Sequence, residues 1–223
     1  MAKASLVVLI SGSGSNLQAI IDAIKAGQLD AEISAVISNK ASAKGLERAA
    51  AENITTHVVD HKDYPNREMF DKAMMHIIDP LDPDLVVLAG FMRILSEGFI
   101  KQYHHRLINI HPSLLPRYKG LHTHRQAIDN ADKTHGASVH YVSHELDSGP
   151  VILQAEVPVK AGDTEQILAA RVLVEEHKIY PKAIELHISG RVTFDDEQMQ
   201  FDGQPLTTPL LLKDGKLLTE QHA

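Results

Sequence analysis

Two residues at 109 and 111 raise the first chemical question. The segment "RLINIHPSLLPRYKG" (106–120) places Asn109 and His111 at the end of an apolar run and follows them with a proline-studded loop. Burying such groups costs free energy unless they are hydrogen-bonded. Read as a strand, the run puts residues i and i+2 on one face, so Asn109 and His111 point the same way. A carboxamide beside an imidazole suits a carbonyl group in transfer. The amide donates to an oxygen as charge builds on it, and the imidazole donates a proton or stabilises that charge. A histidine ending a strand is also a common structural feature, so the pair alone leaves both readings open.

Asp147 in "HELDSGPVI" is a second candidate. A carboxylate in a glycine-containing loop is ordinarily a turn residue. Beside a histidine it favours the charged imidazole. A third candidate is "SGSGSN" at 11–16. Gly12 and Gly14 permit a tight turn, and the start of the following helix offers N–H groups to an anion. The stretch departs from the dinucleotide fingerprint G-x-G-x-x-G, because position 17 is Leu17 and the second strand ends in Asn39 and Lys40 with no acidic residue. A phosphomonoester fits better than a nicotinamide dinucleotide. The histidines at 104–105, 122 and 124 pose a metal question, but no H-E-x-x-H is present, and His122 and His124 share a face only in a strand. No metal is expected.

These candidates need elements to carry them. Leu6–Ile10 is a β-branched and leucine run typical of a strand buried on both faces. Leu17, Ile20, Ile21 and Ile24 have helical spacing, closed by Gly27. Strands at 31–38, 56–60, 82–91 and 106–111 alternate with helices at 43–53, 66–79 and 96–105. Such alternation implies a doubly wound, Rossmann-like α/β fold with a mostly parallel sheet and helices on both faces. The later chain reads as strands at 136–143 and 150–159, including an antiparallel strand, then a long helix at 163–190 that Asp163 or Thr164 caps and Pro181 kinks or interrupts. The tail reads as a hairpin. Residues 1–190 would form one domain and 191–223 an appended hairpin or tail.

Bulk properties narrow the class. The 223 residues are 43% hydrophobic, only 4% aromatic, and lack tryptophan, so the core is aliphatic. A net charge of −7 argues against nucleic acid as a partner. No cysteine is present, which excludes disulfides and thiolate metal sites. The opening apolar run is too short for a signal peptide or a membrane span. A cytoplasmic protein with no membrane partner is expected.

Taken together, "SGSGSNLQAII", "VVLAGFMRIL", "NIHPSLLPRYKGLHTHRQAI" and "ELDSGPVI" closely resemble the phosphoribosylglycinamide formyltransferase family of purine synthesis, over nearly all of residues 5–190. "HPSLLP" is shared with the wider folate-dependent formyltransferases, whereas "GSGSNLQ" fits a ribonucleotide substrate. The resemblance implies formyl transfer from 10-formyltetrahydrofolate, acting as cosubstrate, to the amine of glycinamide ribonucleotide. It implies Asn109, His111 and Asp147 as the catalytic set. It implies Gly14, Ser15 and Asn16 on the ribonucleotide phosphate and Glu176 on the glycinamide. Arg67, Met92, Arg93, Ile94, Leu95 and Asn109 match the folate side, and His144, Glu145 and Leu146 border the pteridine. Ser148 departs from the resemblance, standing where the family often has a second glycine. The partners implied are small molecules, with a homodimer left open.

Overall fold

The computed structural model describes residues 3–195 and 198–219 of the chain. It divides into two compact units, Met1–Asn109 and Ile110–Ala223.

The first unit is a parallel sheet. Its strands are β1 (Ala4–Ile10), β2 (Ala31–Ser38), β3 (Thr56–Val58), β4 (Leu85–Leu88) and the start of β5 (Leu107–His111), in the order β5-β4-β1-β2-β3. All four pairings are parallel. Leu6 to Ile10 and Leu85 to Val87 are fully inaccessible to solvent, as double-sided coverage requires. The strand order reverses at β1. Right-handed crossovers therefore place the first two helices on one face and the next two on the other. These are α1 (Ser15–Lys25) and α2 (Lys44–Ala51), which pack together, and α3 (Arg67–Ile78) and α4 (Glu97–Gln102), which also pack together. The doubly wound arrangement read from the alternation is present. The caps follow local chemistry. Gly27 takes φ 70° just past α1, and the Ser96 hydroxyl accepts the Phe99 N–H at 3.4 Å to open α4.

The second unit begins with the last two residues of β5 and contains α5 (Thr123–Asp129), β6 (Thr134–Tyr141), β7 (Val151–Pro158) and the 24-residue α6 (Glu165–Ile188). Strand β6 pairs antiparallel with β7. β7 pairs parallel with β11 (Leu210–Lys213), which turns back antiparallel into β12 (Lys216–Leu218). A separate sheet holds β8 (Val192–Asp195), β9 (Gln198–Phe201) and β10 (Gln204–Pro205).

One expectation is corrected, one choice is settled and one reading is extended here. Pro181 does not interrupt α6, which runs through it. A proline forfeits one helical N–H, but Ile179, Tyr180, Ala183, Ile184 and Leu186 are all fully buried around it, and that packing outweighs the lost bond. Thr164 caps α6, accepting the Ile167 N–H at 3.3 Å, whereas Asp163 pairs with Arg171 at 2.7 Å. The tail carries a second hairpin, β11–β12, beyond the one expected at 191–203, part of which (196–197) lies outside the described residues.

Candidate active site

In the first unit the 11–16 turn links β1 to α1. Gly14 is the N-cap of α1 at φ 69°, ψ 28°, with no side-chain cap and no acidic residue in the first turn. Two facts demand glycine there. The left-handed conformation is costly for other residues, and a Cβ would lie 2.5 Å from the Cα of Gly45 at the start of α2. The Gly45 N–H donates to the Gly12 carbonyl at 3.1 Å, and Arg48 Nε donates to the Ser13 carbonyl at 2.9 Å. With its carbonyls occupied from the α2 side and a helix dipole behind it, the turn is suited to an anion.

Asn39, which ends β2 where a dinucleotide-binding protein would carry an acid, has a local task. Its Oδ1 accepts the Ser11 hydroxyl at 2.6 Å, and Ser11 Oγ in turn accepts the Met92 N–H at 2.8 Å. The ends of β1 and β2 and the loop after β4 are thereby joined at the switch point of the sheet, where open α/β sheets bind ligands. Beyond it, Met92 (68% exposed), Arg93 and Ile94 face solvent, whereas Leu95 is buried. Arg67 is exposed at the first position of α3. Asn109 is half-buried near the end of β5, opposite Leu88.

In the second unit His111 and Asp147 meet. His111 Nδ1 lies 3.4 Å from Asp147 Oδ2, and both side chains are only 7% exposed. The same carboxylate oxygen accepts the Gly120 N–H at 2.9 Å. On the opposite side of the ring, His111 Nε2 donates to the Tyr118 carbonyl at 2.8 Å. Acceptors thus face both ring nitrogens, the Tyr118 carbonyl in a hydrogen bond and the Asp147 carboxylate in a longer contact. Asp147 itself sits at φ 50°, a left-handed conformation that Asp tolerates better than most residues. Next to it, His144 and Glu145 are exposed and Leu146 is 55% exposed. Glu176 is buried on α6.

A further residue reaches this carboxylate without having been singled out in the sequence. His140, buried on β6, has Nε2 3.7 Å from Asp147 Oδ1, while its Nδ1 donates to the Tyr141 carbonyl at 2.8 Å. Burial pushes its ring down to about 4, so it is neutral at neutral pH. The available signal was the spacing of Ser138 and His140, two polar residues two apart in a largely buried strand, the same spacing as Asn109 and His111. Ser138, fully buried, accepts the Leu115 N–H and donates to the Ser113 carbonyl at 2.6 Å. It thereby pins the loop that supplies the Tyr118 carbonyl and the Gly120 N–H.

Among the described residues, the remaining histidines assemble no metal centre. His122 is the left-handed N-cap of α5, so the strand geometry that would put His122 and His124 on one face does not arise. His124 instead hydrogen-bonds His135 at 3.1 Å. Among the described residues no group of three His, Asp or Glu side chains could hold a metal ion. No described helix is long and apolar enough to cross a membrane.

Comparison with known proteins identifies the family. A family model described as formyl transferase matches residues 4–184. The phosphoribosylglycinamide formyltransferase of Escherichia coli (strain K12) is 55% identical over 202 residues, 91% of this chain and 95% of that protein. The solved phosphoribosylglycinamide formyltransferase of Coxiella burnetii superposes with a TM-score of 0.88 at 48% identity, covering 92% of this chain and 96% of that one. Glycinamide ribonucleotide transformylase 1 of Symbiobacterium toebii gives a TM-score of 0.86 at 42% identity, covering 90% and 94%. The matched span takes in the glycine turn, the end of β5 and the loop bearing Asp147, and the chain belongs to the formyl transferase family.

Proposed function

We propose that the protein transfers a formyl group from 10-formyltetrahydrofolate to the amine of glycinamide ribonucleotide, a step of purine biosynthesis. The observation that carries this reading is the buried His111–Asp147 pair, on a chain 55% identical to an enzyme named for that substrate. The amine attacks the formyl carbon, and negative charge grows on the formyl oxygen. Asn109 and the charged His111 stabilise that oxygen. Asp147 keeps the ring charged and aimed, and the neutral His140 crowds its other oxygen. Collapse of the adduct breaks the bond between the formyl carbon and the folate nitrogen, which leaves with a proton passed from the attacking nitrogen through His111 or a bound water.

Gly14, Ser15 and Asn16 take the ribonucleotide phosphate, and Glu176 takes the glycinamide. Arg67, Met92, Arg93, Ile94, Leu95 and Asn109 hold the folate, with His144, Glu145 and Leu146 along the pteridine. Residues 1–190 act as one formyltransferase domain, with 191–223 appended. The cytoplasm is the compartment this reading implies, and sizing chromatography decides between a monomer and a homodimer.

The test is a spectrophotometric assay with a 10-formyl folate, run with and without glycinamide ribonucleotide. Amine-dependent loss of the formyl folate is expected. Formate release at the same rate without the amine would make the protein a hydrolase and overturn the proposal.

A further inference from the structure

The carboxylate of Asp147 has to be held against His111 by something, because its backbone sits in a conformation that non-glycine residues avoid. Two bridges connect the loop carrying it (142–150) to the loop after β5 (112–122). One is the Gly120 N–H bond to Asp147 Oδ2 already described. The other joins the adjacent residues: Lys119 Nζ donates to Ser148 Oγ at 2.6 Å. The Ser148 hydroxyl passes its own proton on, donating to the Leu146 carbonyl at 3.0 Å. Donor directions are therefore consistent along the whole chain from ammonium to hydroxyl to carbonyl. The first bond is charge-assisted and short.

The loop is packed closely at Gly149, where a Cβ would overlap the Tyr141 carbonyl oxygen, but it borders open space on another side. A cavity of about 340 Å³ opens there, with Lys119, Asp147, Ser148, Gln154 and Met199 in its walls. On that open side, hydrogen bonds add to the burial of the Asp147 side chain in holding residues 146–148 in place. Of these, the Lys119 bond to Ser148 joins the two loops side chain to side chain, next to the Gly120 bond to Asp147.

We propose that Lys119 and Ser148 are positioning residues, a latch that holds the Asp147 carboxylate on His111 before substrate arrives. Neither touches the reacting atoms. They act by keeping the 119–120 and 147–148 backbones in step, so that the Gly120 N–H and Asp147 stay aligned. This inference rests on the reaction proposed above. It makes the turnover number, rather than the affinity for either substrate, the quantity that the latch controls.

The experiment compares wild type with Ser148→Ala, Lys119→Met, the double variant and Ser148→Thr, which retains the hydroxyl. Formyl transfer is measured, together with the amide NMR signal of Gly120 in the ligand-free protein. Each single variant should lower kcat about threefold to tenfold, the range of one exposed charge-assisted bond, with KM for both substrates within about twofold. The double variant should be no worse than the singles, because they break the same bond. Ser148→Thr should recover most of the rate. The Gly120 amide signal should shift in every variant that loses the bond. Unchanged kcat in both single variants, additive losses, or an unmoved Gly120 signal would each overturn the latch. If the wild-type protein itself failed to formylate glycinamide ribonucleotide, the proposed reaction would fall, and the Gly120 signal would still decide whether the latch holds the carboxylate.

Discussion

Two left-handed residues stand at the centre of the two candidate regions, Gly14 at φ 69° and Asp147 at φ 50°. The first is a glycine packed so closely on Gly45 that no side chain fits. The second keeps a side chain and bears the conformational cost. The difference follows from what each turn offers. An anion can be held by backbone N–H groups and a helix dipole, so the side chain is dispensable and its absence lets α2 approach. A histidine needs a fixed carboxylate partner, and no backbone group supplies one. The strain at Asp147 is offset by the Gly120 N–H and by the contact with His111.

The comparison can be broken in four places. The largest expected effect is from His111→Ala, which removes the donor that Asp147 serves. Loss of one oxyanion-type donor lowers kcat by on the order of 10²–10³, and a turnover number within threefold of wild type would dismiss the role. Next is Gly14→Ala. A Cβ 2.5 Å from a backbone carbon, combined with the left-handed φ, should cost about 2–4 kcal/mol of stability. Chemical denaturation reads this loss directly. Any folded fraction should show a raised KM for the ribonucleotide with the folate KM unchanged. Asp147→Asn keeps the shape and an acceptor for Gly120 but deletes the charge. A fall in kcat of about 10- to 100-fold is expected, and a rate equal to wild type would remove Asp147 from the catalytic set.

The smallest effect sharpens the description of the second unit as one built on buried neutral histidines. Burial holds both His135 and His140 down at about 4, against an ordinary value of 6.5. The unfolded chain takes up these protons first as pH falls. Their contribution is intact above pH 6.5 and declines between there and about 4. Asp71 opposes the trend, because burial raises its carboxyl and it binds its proton more readily when folded. A net loss of about 1–3 kcal/mol across this window is expected from denaturant titrations. A flat profile from pH 7 to 4 would show that the two rings are not kept neutral by the fold.

Much of this was legible before any coordinates. The fully apolar β1 and β4, the helical spacing of Leu17 to Ile24 and the glycine after α1 are local signals, and each strand and helix of the first unit lies where they point. The second unit was harder. Pro181 is an interrupter on local grounds alone, and only the buried residues around it show why α6 continues. α5 went unread because a seven-residue helix holding a histidine and an arginine carries little apolar period. Hairpin β11–β12 pairs onto β7, more than fifty residues earlier, and nothing near Leu210 announces that partner.

Residue types and their spacing by themselves determined the alternating α/β plan, the tight turn at 11–16 and the shared strand face of Asn109 and His111, because each depends on backbone preferences a few residues apart. Tertiary structure alone decided that Asp147 meets His111 across 36 positions of chain, that His140 faces the same carboxylate, and that Lys119 reaches Ser148. Those meetings depend on how loops close in space, and closure is settled by the packing of strands and helices far away along the chain.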